Sequence, residues 1–214
     1  NNIDTVFFKR ILTNSYLITS FLMWFLMMIA MMLPSAIPVI VMFDKISNER
    51  KKFNYRYVPT LYFVISYILV WLLFSLFATI VHILLELYGI LNSSSLKVGY
   101  QIGGILFILA GIYQVTPLKY ACLYYCKNPI ELLGGKNFFK NFDAFFFGIK
   151  HGFFCVGCCW MLMLLLFYVG IMNIFWIVGL TLYIMFEKYF IKQKKFNLAT
   201  GFILVFWGCK ILFL

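Results

Sequence analysis

The apolar positions of this chain fall into long continuous runs separated by short polar stretches. Six runs stand out: about Ile11 to Phe43, Val58 to Ile90, Val98 to Tyr120, Phe142 to Tyr168, Gly170 to Ile191 and Phe196 to Leu214. An α-helix needs about 20 apolar residues to cross the hydrocarbon core of a bilayer. Lipid offers no hydrogen-bond partners, so a spanning segment must satisfy its own backbone, and runs this long and continuous select helices. The pattern predicts an all-α, polytopic membrane helix bundle of about six transmembrane helices. It forms a single integral membrane domain over residues 1–214. The first two runs are too long for one straight span, and Pro34 and Pro38 predict a kink or an end in the first helix. Lys9 and Arg10 ahead of the first run resemble a signal-peptide start. That run is longer than a signal core and lacks a small-x-small cleavage site, so a retained helix is expected.

The polar stretches set the orientation. Lys45, Arg50, Lys51, Lys52 and Arg56 follow the first run. Lys119, Lys127, Lys136 and Lys140 follow the third, and Lys188, Lys192, Lys194 and Lys195 follow the fifth. The opposite loops hold only Lys97. Thirteen charges against one place these loops in the cytoplasm and both termini outside, although Lys9, Arg10 and Lys210 count weakly against it. The longest loop, CKNPIELLGGKNFFKNF, carries turn signals at Pro129 and at Gly134–Gly135, and Phe138, Phe139 and Phe142 suit the membrane interface.

Composition sharpens this picture. Hydrophobic residues make up 64% of the chain and charged residues only 12%, with a mean hydropathy of +0.95. One soluble core could not hide that much apolar surface, so the lipid bilayer is the expected surrounding. The net charge of +11 lies mostly in short loops without an interleaved aromatic stripe, which argues against a nucleic-acid partner. No nucleotide-binding glycine loop, Ser-His-Asp arrangement or HExxH motif occurs, so nothing reads as a hydrolase, and a non-enzymatic role is favoured.

The candidate chemistry lies in HGFFCVGCCW, residues 151–160. On a helix, residues three or four apart share a face, so His151, Cys155 and Cys158 or Cys159 form one stripe. Cys122 and Cys126 form a second pair four apart, while Cys209 stands alone as a packing residue. Thiolates are soft ligands suited to Cu(I), zinc or iron–sulfur chemistry. The spacings are C-x3-C and C-x2-C-C, which fit helix faces better than the paired C-x2-C knuckles of structural zinc. Cu(I) asks for only two or three soft ligands and is the first candidate, with zinc the alternative. Small residues packing between lipid-embedded helices would explain a lone cysteine better than they explain five with a histidine. A disulfide pair suits the cytoplasmic side poorly. Cys155 falls about 13 residues, or ~20 Å, into the fourth helix, while Cys122 is expected at the inner membrane edge. The spacing leaves open whether the two groups meet; a late start of the fourth helix, near Gly148 and Gly152, would close the gap.

Two further features accompany the thiols. Met23, Met27 and Met31 lie four apart, with Met28 and Met32 on an adjacent line. Thioethers could pass Cu(I) along such a stripe, or serve as adaptable packing. His82 and Glu86, also four apart, are ionisable residues within a span: a metal or proton site, or a pair at the interface. Glu187 is expected to pair with Lys119 or Lys150.

Three segments together, MWFLMMIAMMLPSAIPVIV, GIYQVTPLKYACLYYCKNP and GFFCVGCCWMLMLLLFYVGIMN with a later EK, carry a family resemblance. They resemble the uncharacterised family of predicted metal-binding integral membrane proteins, over about residues 20–190. The resemblance implies Cys122, Cys126, Cys155, Cys158 and Cys159 as metal ligands. It also highlights Met31, Met32, Pro34, Gln114, Pro117, Lys119, Trp160, Met163, Asn173 and Glu187, and implies a prokaryotic cytoplasmic membrane. Lys127 stands where the family carries arginine, which keeps the charge but loses bidentate recognition.

These readings converge on a membrane protein that binds a soft metal, Cu(I) first, through Cys122, Cys126, His151, Cys155, Cys158 and Cys159. Its role would be copper handling or delivery to a membrane enzyme. The alternative is a non-catalytic subunit of a larger membrane complex, such as a copper-dependent monooxygenase or respiratory oxidase, with other membrane subunits as partners. A thiol oxidoreductase is the third reading.

Overall fold

A computed structural model describes residues 14–52, 59–92, 97–128, 141–170, 173–189 and 193–213. The elements run α1 (Asn14–Lys52), α2 (Thr60–Leu87), β1 (Leu91–Asn92), β2 (Lys97–Val98), α3 (Tyr100–Val115), α4 (Pro117–Lys127), α5 (Asn141–Leu164), α6 (Leu166–Val169), α7 (Ile174–Tyr189) and α8 (Gln193–Phe213). Among the described residues the regular structure is helical apart from the two-residue strands, which pair antiparallel. The signals expected at Pro129, Gly134, Gly135, Phe138 and Phe139 lie outside the described residues, as do Lys9 and Arg10; Phe142 is exposed.

Among the described residues, four helices are long and apolar enough to cross a membrane: Ser15–Glu49, Thr60–Leu87, Phe142–Val169 and Lys194–Phe213. They correspond to the first, second, fourth and sixth runs. The third run is not straight, because α3 and α4 meet at an angle of 65°; the pair is either a broken fifth span or a re-entrant turn. The cause is local. Thr116 precedes Pro117, which pushes it out of the helical region into an extended conformation, and its hydroxyl then caps α4 by accepting from Lys119 N at 3.4 Å. The fifth run gives α7, whose 16 residues rise only about 24 Å. Pro34 and Pro38 lie inside α1 and do not end it. The helix α2 ends where the sequence places its last apolar residues, at Gly89 with φ 66°, whose N–H reaches the Glu86 carbonyl while that of Ile90 reaches Leu85.

Polarity is inverted relative to a soluble domain. Ile18, Leu22 and Leu26 on α1 and Phe202, Phe206 and Trp207 on α8 are exposed, whereas Ser66, Ser75, Gln114, Lys119, His151 and Glu187 are buried. The buried hydroxyls bond within their own helices, Ser66 to the Phe63 carbonyl and Ser75 to that of Trp71, both at 2.8 Å.

Small residues set the helix pairings. Gly104 faces Gly208 and Gly111 faces Gly201, so α3 and α8 run antiparallel with backbones in contact; a Cβ at Gly111 would lie 2.7 Å from the Gly201 carbonyl oxygen. The helices α2 and α5 pack in parallel, with Gly148 against Phe63 and Ser66 and Gly152 against Val70. The helix α1 runs antiparallel to α2: Trp24 meets His82 and Phe43 stacks on Phe63. The main buried cluster gathers Trp24, Met28, Met31, Met32, Tyr67, Trp71, Cys126, Cys155, Cys158, Cys159 and Met163; a smaller one, with Phe43, Phe63 and Phe147, closes the end nearer the basic loops.

Candidate metal centre

The break at Thr116–Pro117 frees α4 from the direction of α3 and lays it antiparallel on α5. Lys119, Leu123 and Cys126 share its buried face, as a spacing of four and three requires. Tyr125 stacks on Phe154 at 4.9 Å, and Gly157 makes room for Cys122, whose Sγ would lie 3.0 Å from a Cβ there. This pairing brings Cys126 level with Cys155, so the ~20 Å separation expected from straight helices does not arise.

The sulfur atoms of Cys126, Cys155 and Cys158 lie within 4.8 Å of one another, and all three residues are buried. Among the described residues no other set of three histidine, cysteine or carboxylate groups comes so close. The two cysteine groups therefore meet, through one member of the first and two of the second. Every described cysteine is a free thiol. Cys158 and Cys159 both donate to the Cys155 carbonyl, at 3.0 and 2.9 Å, which fixes their rotamers. Cys159 turns towards Met32, with Sγ 4.0 Å from Sδ. Cys122 stands beside the triplet, against Gly157. His151 is buried one turn away, with its ring against Phe63 and Tyr67 at 5.8 and 5.9 Å and its Nδ1 without a hydrogen-bond partner.

Cys155 is the junction of four helices. Tyr67 Oη on α2 lies 3.3 Å from its Sγ, and Lys188 Nζ on α7 donates to that sulfur at 3.1 Å and to Ser35 Oγ on α1 at 2.8 Å. Ser35 in turn donates to the Met32 carbonyl at 2.9 Å. Lys188 thus offers a positive charge to a cluster that becomes anionic when its thiols lose protons. Beside it, Glu187 pairs with Lys119 at 2.6 Å, both buried. Lys119 also donates to Gln114, whose Nε2 donates to Tyr183 Oη at 3.0 Å. Lys119 and Lys188 were counted among the loop charges by sequence; both instead point into the protein, because each has a buried anion or thiol to meet.

His82 and Glu86 form a separate group near the other end of α2. Trp24 Nε1 donates to His82 Nδ1 at 3.3 Å, and Tyr16 donates to Glu86. Sequence reasoning missed Tyr67, Ser35 and Lys188. The first two carry no pattern that separates them from packing residues, and Lys188 sits where a cytoplasmic loop charge is expected.

The geometry suits a soft ion. A metal–sulfur bond of about 2.3 Å in a trigonal plane places sulfurs about 4 Å apart, so three sulfurs already within 4.8 Å need only small rotations. No curated protein and no solved structure matches the chain. The model of the PpoB2 family, described as copper chaperone, matches residues 21–211 and so spans every residue of the thiol centre. The match agrees with the metal-binding resemblance read from the motifs and supports copper binding. The chain belongs to the PpoB2 copper chaperone family.

Proposed function

We propose that the protein is embedded in the cytoplasmic membrane and carries Cu(I) as cargo between Cys126, Cys155 and Cys158, passing it to a membrane enzyme. The observation that carries this reading is the meeting of three buried thiols from two helices in a member of a copper chaperone family. Three thiolates complete a Cu(I) site, whereas structural zinc asks for four ligands. Binding releases the thiol protons, and Lys188 offsets part of the charge left behind. Cys159, which meets Met32 at 4.0 Å and bonds to the Cys155 carbonyl, serves with Met32 and His151 as an auxiliary ligand during exchange. The exposed apolar belt supports lipid surroundings, and the remaining eleven loop charges against one support both termini outside.

The test is metal content per chain after anaerobic purification in mild detergent, compared with Cys126→Ser and Cys155→Ser. About one copper per chain, lost in both variants, is expected. Zinc lost in place of copper would replace delivery with a structural site. No metal in any sample would leave the membrane-subunit reading in front.

A further inference from the structure

The methionines singled out by sequence take on a definite arrangement in the fold. On α1, Trp24, Met28 and Met32 are spaced by four and share a buried face; Met28 and Met32 are wholly inaccessible. On α5, Cys155, Cys159 and Met163 are likewise spaced by four, continuing to Phe167 on α6, and all four are buried. The two lines run antiparallel. Met32 Sδ meets Cys159 Sγ at 4.0 Å, and eight residues earlier Trp24 meets Phe167 at a ring separation of 5.0 Å. The same register sets Met28 opposite Met163, half-way between these contacts. The backbones of α1 and α5 do not pack closely, so long side chains fill the seam. At its far end, Trp24, Met163 and Phe167 line an apolar cavity with Phe74, Ala78 and Val81.

We propose that Met32, Met163 and Met28 form a transfer path for Cu(I), about 12 Å long, between the thiol centre and the cavity at Trp24. This rests on the reading of the thiols as a Cu(I) centre. The ion moves by ligand exchange, each step making one copper–sulfur bond as another breaks, with no change of oxidation state. Neutral thioethers bind a soft monovalent ion without a proton to remove, and they bind it more weakly than thiolates. Between the polar groups at its two ends, His82 beside Trp24 and Tyr67 beside Cys155, the middle of the path at Met28 and Met163 presents thioether sulfur, which suits a soft ion better than a strongly hydrated divalent one. The path therefore favours Cu(I) over Zn(II) at its Met28–Met163 step.

The test uses the full chain in mild detergent, without oxygen, mixed rapidly with Cu(I) on a chromogenic chelator. Rate and final stoichiometry are read from the chelator's colour. Leucine conserves volume at a methionine position, so Met28→Leu/Met163→Leu keeps the packing. The expected result is unchanged final copper with uptake slowed on the order of tenfold. An unchanged rate would overturn the path and leave the methionines as packing. Copper lost at equilibrium from a folded variant would also overturn it, by making the thioethers part of the centre. If the double variant fails to fold, Met163→Leu alone is read the same way. A parent protein that takes up no copper is a different failure, that of the thiol centre itself.

Discussion

Lys119 shows how much one side chain can cost or hold. Its ammonium is fully buried and paired with Glu187, so replacing it with an apolar residue leaves a carboxylate in a dry interior. Lys119→Met is expected to destabilise the protein by about 3–5 kcal/mol, and Lys119→Met/Glu187→Leu to recover most of that loss. Denaturant melts in detergent measure both. The same scale shows what sequence can reveal. Cys126, Cys155 and Cys158 were legible because a spacing of three or four on a helix fixes which residues share a face. The choice of Cys158 over Cys159, and of Cys126 over Cys122, was not legible. Those choices depend on which way α4 lies across α5, and on the room Gly157 leaves for Cys122. Cys209 remains a lone cysteine on α8, and Cys209→Ser is expected to leave copper content unchanged in the metal assay.

Among the elements, the pairing of α2 with α5 holds Tyr67 against Cys155. A Cβ at Gly148 would collide with Ser66 Oγ and lie 2.5 Å from the Phe63 carbonyl oxygen. Backbone cannot step aside cheaply, so Gly148→Ala is expected to lower stability by about 1–3 kcal/mol and to weaken copper retention by moving Tyr67. Gly179 on α7 meets nothing within 4 Å, so Gly179→Ala serves as the control with unchanged retention. Existence and type of the long helices were legible from apolar run length. Of the two outcomes read from the prolines of α1, a kink or an end, the end does not occur, since the helix runs on past Pro34 and Pro38. The decisive bend was written in Thr116–Pro117, a pre-proline cap inside a largely apolar run, where hydropathy alone does not register it.

For the whole molecule, binding in the native state alone links metal to stability. At free Cu(I) a hundredfold above its dissociation constant, the gain is about 2.7 kcal/mol. A raised melting temperature with Cu(I), absent in Cys126→Ser, is the expected outcome. The folded protein should also alkylate in a set order. Cys122 and Cys209 are partly accessible and label first, whereas Cys126, Cys155, Cys158 and Cys159 label only on denaturation. Mass spectrometry of the labelled chain reads the order directly.

Glu187 and Lys188 are consecutive residues, and consecutive side chains on a helix point about 100° apart. One reaches α4, the helix that brings Cys126; the other reaches Cys155 on α5. The end of α7 is therefore a two-jawed clasp on the two halves of the thiol centre. One alanine inserted between Glu187 and Lys188 would leave every ligand in the chain and yet turn one jaw away. Rotation of this one short helix is thus the motion that would part the two halves of the thiol centre.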